Sequence, residues 1–72
     1  MHLAPEKKAA KVSLLYDKWL TQVEVRNSSA YGSARYNQAE AKAEKIENEA
    51  SLLVFNDNRH SMSECMEFIE SL

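Results

Sequence analysis

Residues 36–53 read YNQAEAKAEKIENEASLL, and this stretch decides the fold. Tyr36, Ala39, Ala43, Ile46, Ala50 and Leu53 follow one another in steps of three and four. That rhythm draws one unbroken apolar seam along a helix. The residues between are mostly Glu, Lys, Gln and Asn, which suit a solvated face, and neither Gly nor Pro interrupts them.

Towards the N-terminus a second seam repeats the pattern: Ala9, Val12, Tyr16, Trp19, Val23. Leu15 and Leu20 widen it into the broad stripe that a globular helix buries. Pro5 suits a first helical turn, where its missing N–H costs nothing. Glu6 favours the positive end of the helix dipole and Arg26 the negative end. A helix over 5–26 is expected.

Asn27 to Ser33 separates the two seams, and Ser28, Ser29 and Ser33 each suit an N-cap. With Gly32 in the loop, the second helix starts after Ser33. With a turn at Asn27-Ser28, Gly32 lies on the seam one turn before Tyr36. The longer helix, 29–56, is preferred because Ser29, Gly32 and Tyr36 continue the repeat. An interior glycine then costs about 1 kcal/mol relative to Ala.

Either connection is short, so the helices run antiparallel. Trp19 and Val23 then lie across from Tyr36 and Ala39, Tyr16 from Ala43, Val12 from Ile46 and Ala50, and Ala9 from Leu53. Large side chains meet alanines, which a closely packed pair requires.

Leu52-Leu53-Val54-Phe55 points apolar groups in all directions, more than two helices can cover. Beyond the polar break at Asn56–His60, Ser61-Met62-Ser63-Glu64 fits a capping box. A third helix over 62–71 is expected. Its stripe is Met62, Cys65, Met66, Ile69 and Leu72, with Phe68 beside it, and its dock is the Leu52–Phe55 turn. So short a helix is not stable alone. The fold class is all-α: an antiparallel helical hairpin plus a short C-terminal third helix in a single domain.

At 72 residues the chain is marginal for a self-sufficient core. Cys65 is its only cysteine, so no intrachain disulfide exists. Self-association is the remaining staple, and a dimeric helical bundle is expected. Leu52, Val54, Phe55 and Ile69 are its candidate interface. No apolar run approaches the roughly 18 residues of a membrane span, and the first residues lack the apolar core of a secretory signal. A cytoplasmic protein without a membrane partner is expected, in a bacterial cell or an infected host cell.

Residues 1–36 carry six Lys/Arg and three acids; residues 37–72 carry three and eight. The halves either attract each other on folding, the preferred reading, or present charged faces to different partners. Lys7, Lys11, Leu14, Lys18 and Val25 fall roughly opposite the first seam. Lysines snorkelling over scattered aliphatics explain that face, and so does contact with a protein or a phosphate backbone. Met62, Met66 and Phe68 offer an adaptable protein contact, with core packing the alternative.

Chemistry is sparse. Asp57, His60, Glu64 and Cys65 form the one ligand-like cluster, but they straddle a loop and a cap, so no metal is expected. Cys65 sits on an apolar stripe and reads as a core residue. Glu40, Glu44 and Glu47 lie on a solvated face, without the burial that raises the pKa of a general acid. No phosphate-cradling glycine loop or nucleophile motif is present, so no enzyme and no cofactor is expected.

The expected function is a small non-enzymatic protein-interaction module: an adaptor, inhibitor or regulatory subunit acting through helix faces. Its size suits a bacterial or bacteriophage regulator. The alternative is a dimeric RNA- or DNA-binding regulator using the lysine face, although a sequence pI of about 5.6 counts against it.

Overall fold

The computed structural model describes residues 5–71; Met1–Ala4, with His2, and Leu72 of the last apolar stripe lie outside the described residues. Three helices follow in order: α1 (Pro5–Asn27), α2 (Ala34–Phe55) and α3 (Met62–Glu70). α1 and α2 pack against each other as a hairpin, and α3 contacts both.

The two seams interlock as their steps require. Val12 and Ala50 are fully buried in one cluster, with Leu15, Tyr16, Trp19 and Ile46 packed against it. Ala39 and Ala43 are buried as well. The bulk comes from α1 and the small side chains from α2, so large groups pack against alanines along the seam. The Tyr16 and Trp19 rings stack obliquely, their centroids 5.7 Å apart.

α2 begins at Ala34, which corrects the expected start at Ser29. Ser33 is the cap, its hydroxyl accepting from the Tyr36 N–H at 3.2 Å. Ser28 and Ser29 close α1 instead, both donating to the Val25 carbonyl. Gly32 lies in the turn at φ +79°, a conformation no helix interior uses. The heptad rhythm runs through Gly32 only by coincidence. A Cβ at Gly32 would meet nothing within 4 Å. Gly32→Ala is therefore expected to lower stability by about 1–2 kcal/mol, the backbone cost alone of a left-handed alanine. Urea unfolding monitored by circular dichroism measures it.

α2 ends on Asn56 in the left-handed region at φ 58°, its N–H returning to the Leu52 carbonyl. α3 starts with a complete capping box between Ser61 and Glu64. Met62 and Cys65 turn inward and join the cluster with Val54. Phe55 and Phe68 meet edge to face at 5.4 Å. The apolar run at the end of α2 is thus divided: Val54 and Phe55 go under α3, whereas Leu52 stays 54% exposed.

Candidate functional site

An open cleft of about 320 Å³ runs between α1 and α2, lined by Lys11, Leu14, Leu15, Glu49 and Leu53. Leu14 is 56% exposed. The helical period explains the cleft. Leu15 lies on the flank of the α1 stripe and Leu14 one position beyond it. On α2, Leu53 lies on the flank of the alanine seam. Between these flanks α2 supplies no large side chain, so the leucines are half covered.

The cleft lies on the side of the hairpin away from α3, and hydrogen bonds settle this. Glu47 accepts from the Met62 N–H at 2.9 Å, so the Glu47 side of α2 faces the start of α3. Ser51, one turn on, bonds to Asp57 in the α2–α3 connection. Glu49 and Leu53 each follow these by two residues, about 200° around the helix.

The charges on the cleft side are unpaired. The only ion pairs among the described residues are those of His60 with Asp57 and Glu64, and no lysine or arginine pairs with a carboxylate. The uneven charge of the two halves is therefore not consumed in ion pairs between them. Lys7, Lys11 and Lys18, at steps of four and seven, form an exposed line along α1 that passes between Leu14 and Leu15. Arg35 and Lys42, at steps of seven before Glu49, stand exposed on the same side of α2 as Leu53, nearer the α1–α2 turn. Glu6 and Asp17 each precede one of these lysines by one residue, and Asp17, three residues after Leu14, neighbours it on the outer side as Lys11 does on the inner. Glu49 is the one acid among the cleft-lining residues.

The other contact residues expected from the sequence are divided by the fold. Met62 is fully buried beneath α3, which removes it from any contact surface, because its side chain fills the space between α2 and α3. Val54 is buried in the same cluster, beneath the surface of the chain. Val25 and Met66 are half-buried, Ile69 is half-buried against the core, and Phe68 is partly exposed. Phe55 is half-buried beneath His60, whose ring stacks on it with centroids 3.7 Å apart. Lys7, Lys11, Leu14 and Lys18 do lie on one accessible side, together with Arg35 and Lys42.

The second polar cluster is a structural knot. Asp57 Oδ1 accepts from the Ser51 hydroxyl at 2.6 Å and the Arg59 N–H at 3.1 Å, and lies 2.8 Å from His60 Nδ1. The His60 backbone N–H donates to Ser51 Oγ. Serine, aspartate and histidine meet here without forming a nucleophile: Ser51 is fully buried, and its proton points to the carboxylate and not to the ring. Glu64 is 3.9 Å from His60 Nε2, on the opposite edge of the ring from Asp57, so the two carboxylates cannot converge with the ring on one ion. Among the described residues no three His, Cys, Asp or Glu side chains group to hold a metal. Cys65 is fully buried, and burial, with Glu64 next in importance, pushes its thiol above the ordinary value.

Hydrogen bonds from Ser51, then from His60 and the Arg59 N–H, hold the Asp57 carboxyl well below the usual carboxylate range. Its contribution to stability is full above the ordinary carboxylate pKa of about 3.9. As pH falls below that value the unfolded chain takes up the proton first, and the contribution is lost on the way to the depressed folded value. Asp57→Asn is accordingly expected to be less stable than the parent at pH 7, with the difference narrowing below about pH 4. Urea midpoints at pH 7, 4 and 3 test this; a constant gap would mean that the knot does not depend on the charge.

Among the described residues no helix is long and apolar enough to cross a membrane. Fold and cleft together define a small all-α helical-hairpin protein with a two-helix groove. Compared with protein families, curated proteins and solved structures, the chain matches none.

Proposed function

We propose that this chain is a small non-enzymatic protein-interaction module, an adaptor, inhibitor or regulatory subunit that works by seating part of a partner against the α1–α2 face. The observation that carries this reading is the cleft: Leu14, Leu15 and Leu53 line it and are left uncovered by the fold, with Lys11 between the two α1 leucines and Glu49 beside Leu53. The reactive side chains are engaged elsewhere. Ser51 and Cys65 are buried, and Asp57 and His60 tie the connection between α2 and α3.

A photo-crosslinking residue placed at Leu14 tests the reading in cells that make the protein, with the same residue at Ala41, exposed on the outer side of α2, as control. Protein adducts are expected from position 14 and not from position 41. Equal labelling at both positions would overturn the reading. Self-association through the exposed Leu52 is part of the same proposal, and native mass spectrometry counts the subunits.

The second reading, a nucleic-acid-binding regulator, is favoured by the unpaired line of Lys7, Lys11 and Lys18. Phosphate contacts weaken steeply with salt, so salt-dependent retention on RNA or DNA, lost on neutralising the three lysines, is its signature.

A further inference from the structure

The α1–α2 cleft combines features that select the chemistry of its occupant. Its leucines are partly open, with Leu14 more than half exposed. On α1 the exposed line of Lys7, Lys11 and Lys18 passes between Leu14 and Leu15, and on α2 Arg35 and Lys42 continue the line of Leu53 towards the α1–α2 turn; none of these cations is in an ion pair. The acids of α2 that point elsewhere, Glu40, Glu44 and Glu47, follow a different line, on the side that reaches α3 through Glu47. One face of the hairpin thus interleaves cations with leucines, although the chain as a whole is acidic.

The lengths agree. Lys7 to Lys18 spans about 16 Å of α1, and Arg35 to Glu49 about 21 Å of α2, at roughly 1.5 Å per residue. Both are close to three or four helical turns. The basic positions recur at four and seven residues, the interval at which one face of a facing helix repeats. A phosphate backbone would satisfy the cations but leave the leucines in water. A neutral apolar segment would cover the leucines but leave the cations without partners. A helix with leucine-like anchors at i, i+3, i+4 and i+7, flanked by Asp and Glu, satisfies both.

Resting on the reading above, we propose that the cleft receives an acidic amphipathic helix of a protein partner. Its apolar side chains lie on Leu14, Leu15 and Leu53, and its carboxylates face Lys11, Lys18 and Lys42. Glu49 stands between Lys42 and Leu53 on α2: a carboxylate placed against it is repelled, which disfavours an acid at that point of the bound helix.

The test uses the full chain and fluorescently labelled helical peptides of about 18 residues, long enough for the three to four turns of the charged lines. One peptide has leucine at the anchor positions and Glu around them. A second replaces the Glu with Lys, a third with Gln, and a fourth keeps the Glu but replaces Leu with Ser. Anisotropy is expected to show saturable binding of the acidic leucine peptide alone. The double variant Lys11→Glu/Lys18→Glu is expected to weaken it about tenfold or more, because two attractive contacts become repulsive. Leu14→Ser is expected to weaken it while both variants keep the parent circular dichroism. Binding of the leucine peptides regardless of charge would keep the cleft as a protein contact and overturn the acidic partner. No binding of any peptide would overturn both. Tight, steeply salt-dependent binding of a single-stranded or duplex RNA probe, lost in the double variant, would assign the cations to nucleic acid and also overturn the proposal. So would a concentration-dependent dimer of the chain alone that Leu14→Ser dissociates, because it would give the cleft to a second copy.

Discussion

Met62→Ala is expected to destabilise the protein by about 2–5 kcal/mol, the usual range for truncating a buried methionine. Met62 is the first residue of α3 and among the largest fully buried side chains. It lies in the same cluster as Val12, Ala50, Val54 and Cys65, so the void left by truncation is shared by all three helices. The capping box beside it and the Glu47 bond to its backbone N–H do not involve the side chain and survive the substitution. The loss is therefore one of packing. A domain of this length has a total stability of order 5 kcal/mol, so the variant sits near its unfolding midpoint at room temperature. Thermal unfolding followed both by helix content and by Trp19 fluorescence checks the outcome. A drop in helix content with unchanged Trp19 emission would show that only α3 frays and that the core does not depend on it.

Ala43→Leu is expected to cost about 1–3 kcal/mol through overpacking. Ala43 is buried on the α2 seam, facing the bulky side of α1. Leucine there adds three carbons at a buried position, and either the backbones separate or neighbouring side chains leave their rotamers. An exposed control, Ala41→Leu, has the same helix propensity change and no such crowding. Equal melting temperatures for the two variants would show that the seam is not interlocked at this level.

The seams were legible because period alone identifies them: Val12 on α1 and Ala39, Ala43 and Ala50 on α2 are all buried. The start of α2 was not, since a repeat of sevens passes through Ser29, Gly32 and Tyr36 whether or not the backbone is helical. Only the positive φ of Gly32 separates the cases. Met62 and Val54 were read as contact residues because a stripe shows which side of a helix is apolar without showing how deeply it is covered. The cleft was half legible. The lysine line of α1 stood out against its neighbours, whereas Arg35 and Lys42 were lost among the many charges of α2. A signal existed in their spacing of seven from each other and from Glu49.

The bond from the Met62 N–H to Glu47 had a fainter signal. A capping box satisfies the N–H groups at the cap and third positions, which leaves the first turn of α3 seeking another acceptor. The hydroxyl of Ser51 carried a signal of its own: a serine at a buried position, next to a polar connection, needs a partner there.

The connections at Ser28–Ser33 and Asn56–Ser61 are both brief, so every helix meets the one adjacent in chain order through a tight reversal. Little chain has to be closed into rings before the core is rewarded, which places such a topology among the rapid folders, with relaxation in microseconds to milliseconds. A newly made or unfolded copy would therefore spend only a brief interval with its leucines open to aggregation or proteolysis.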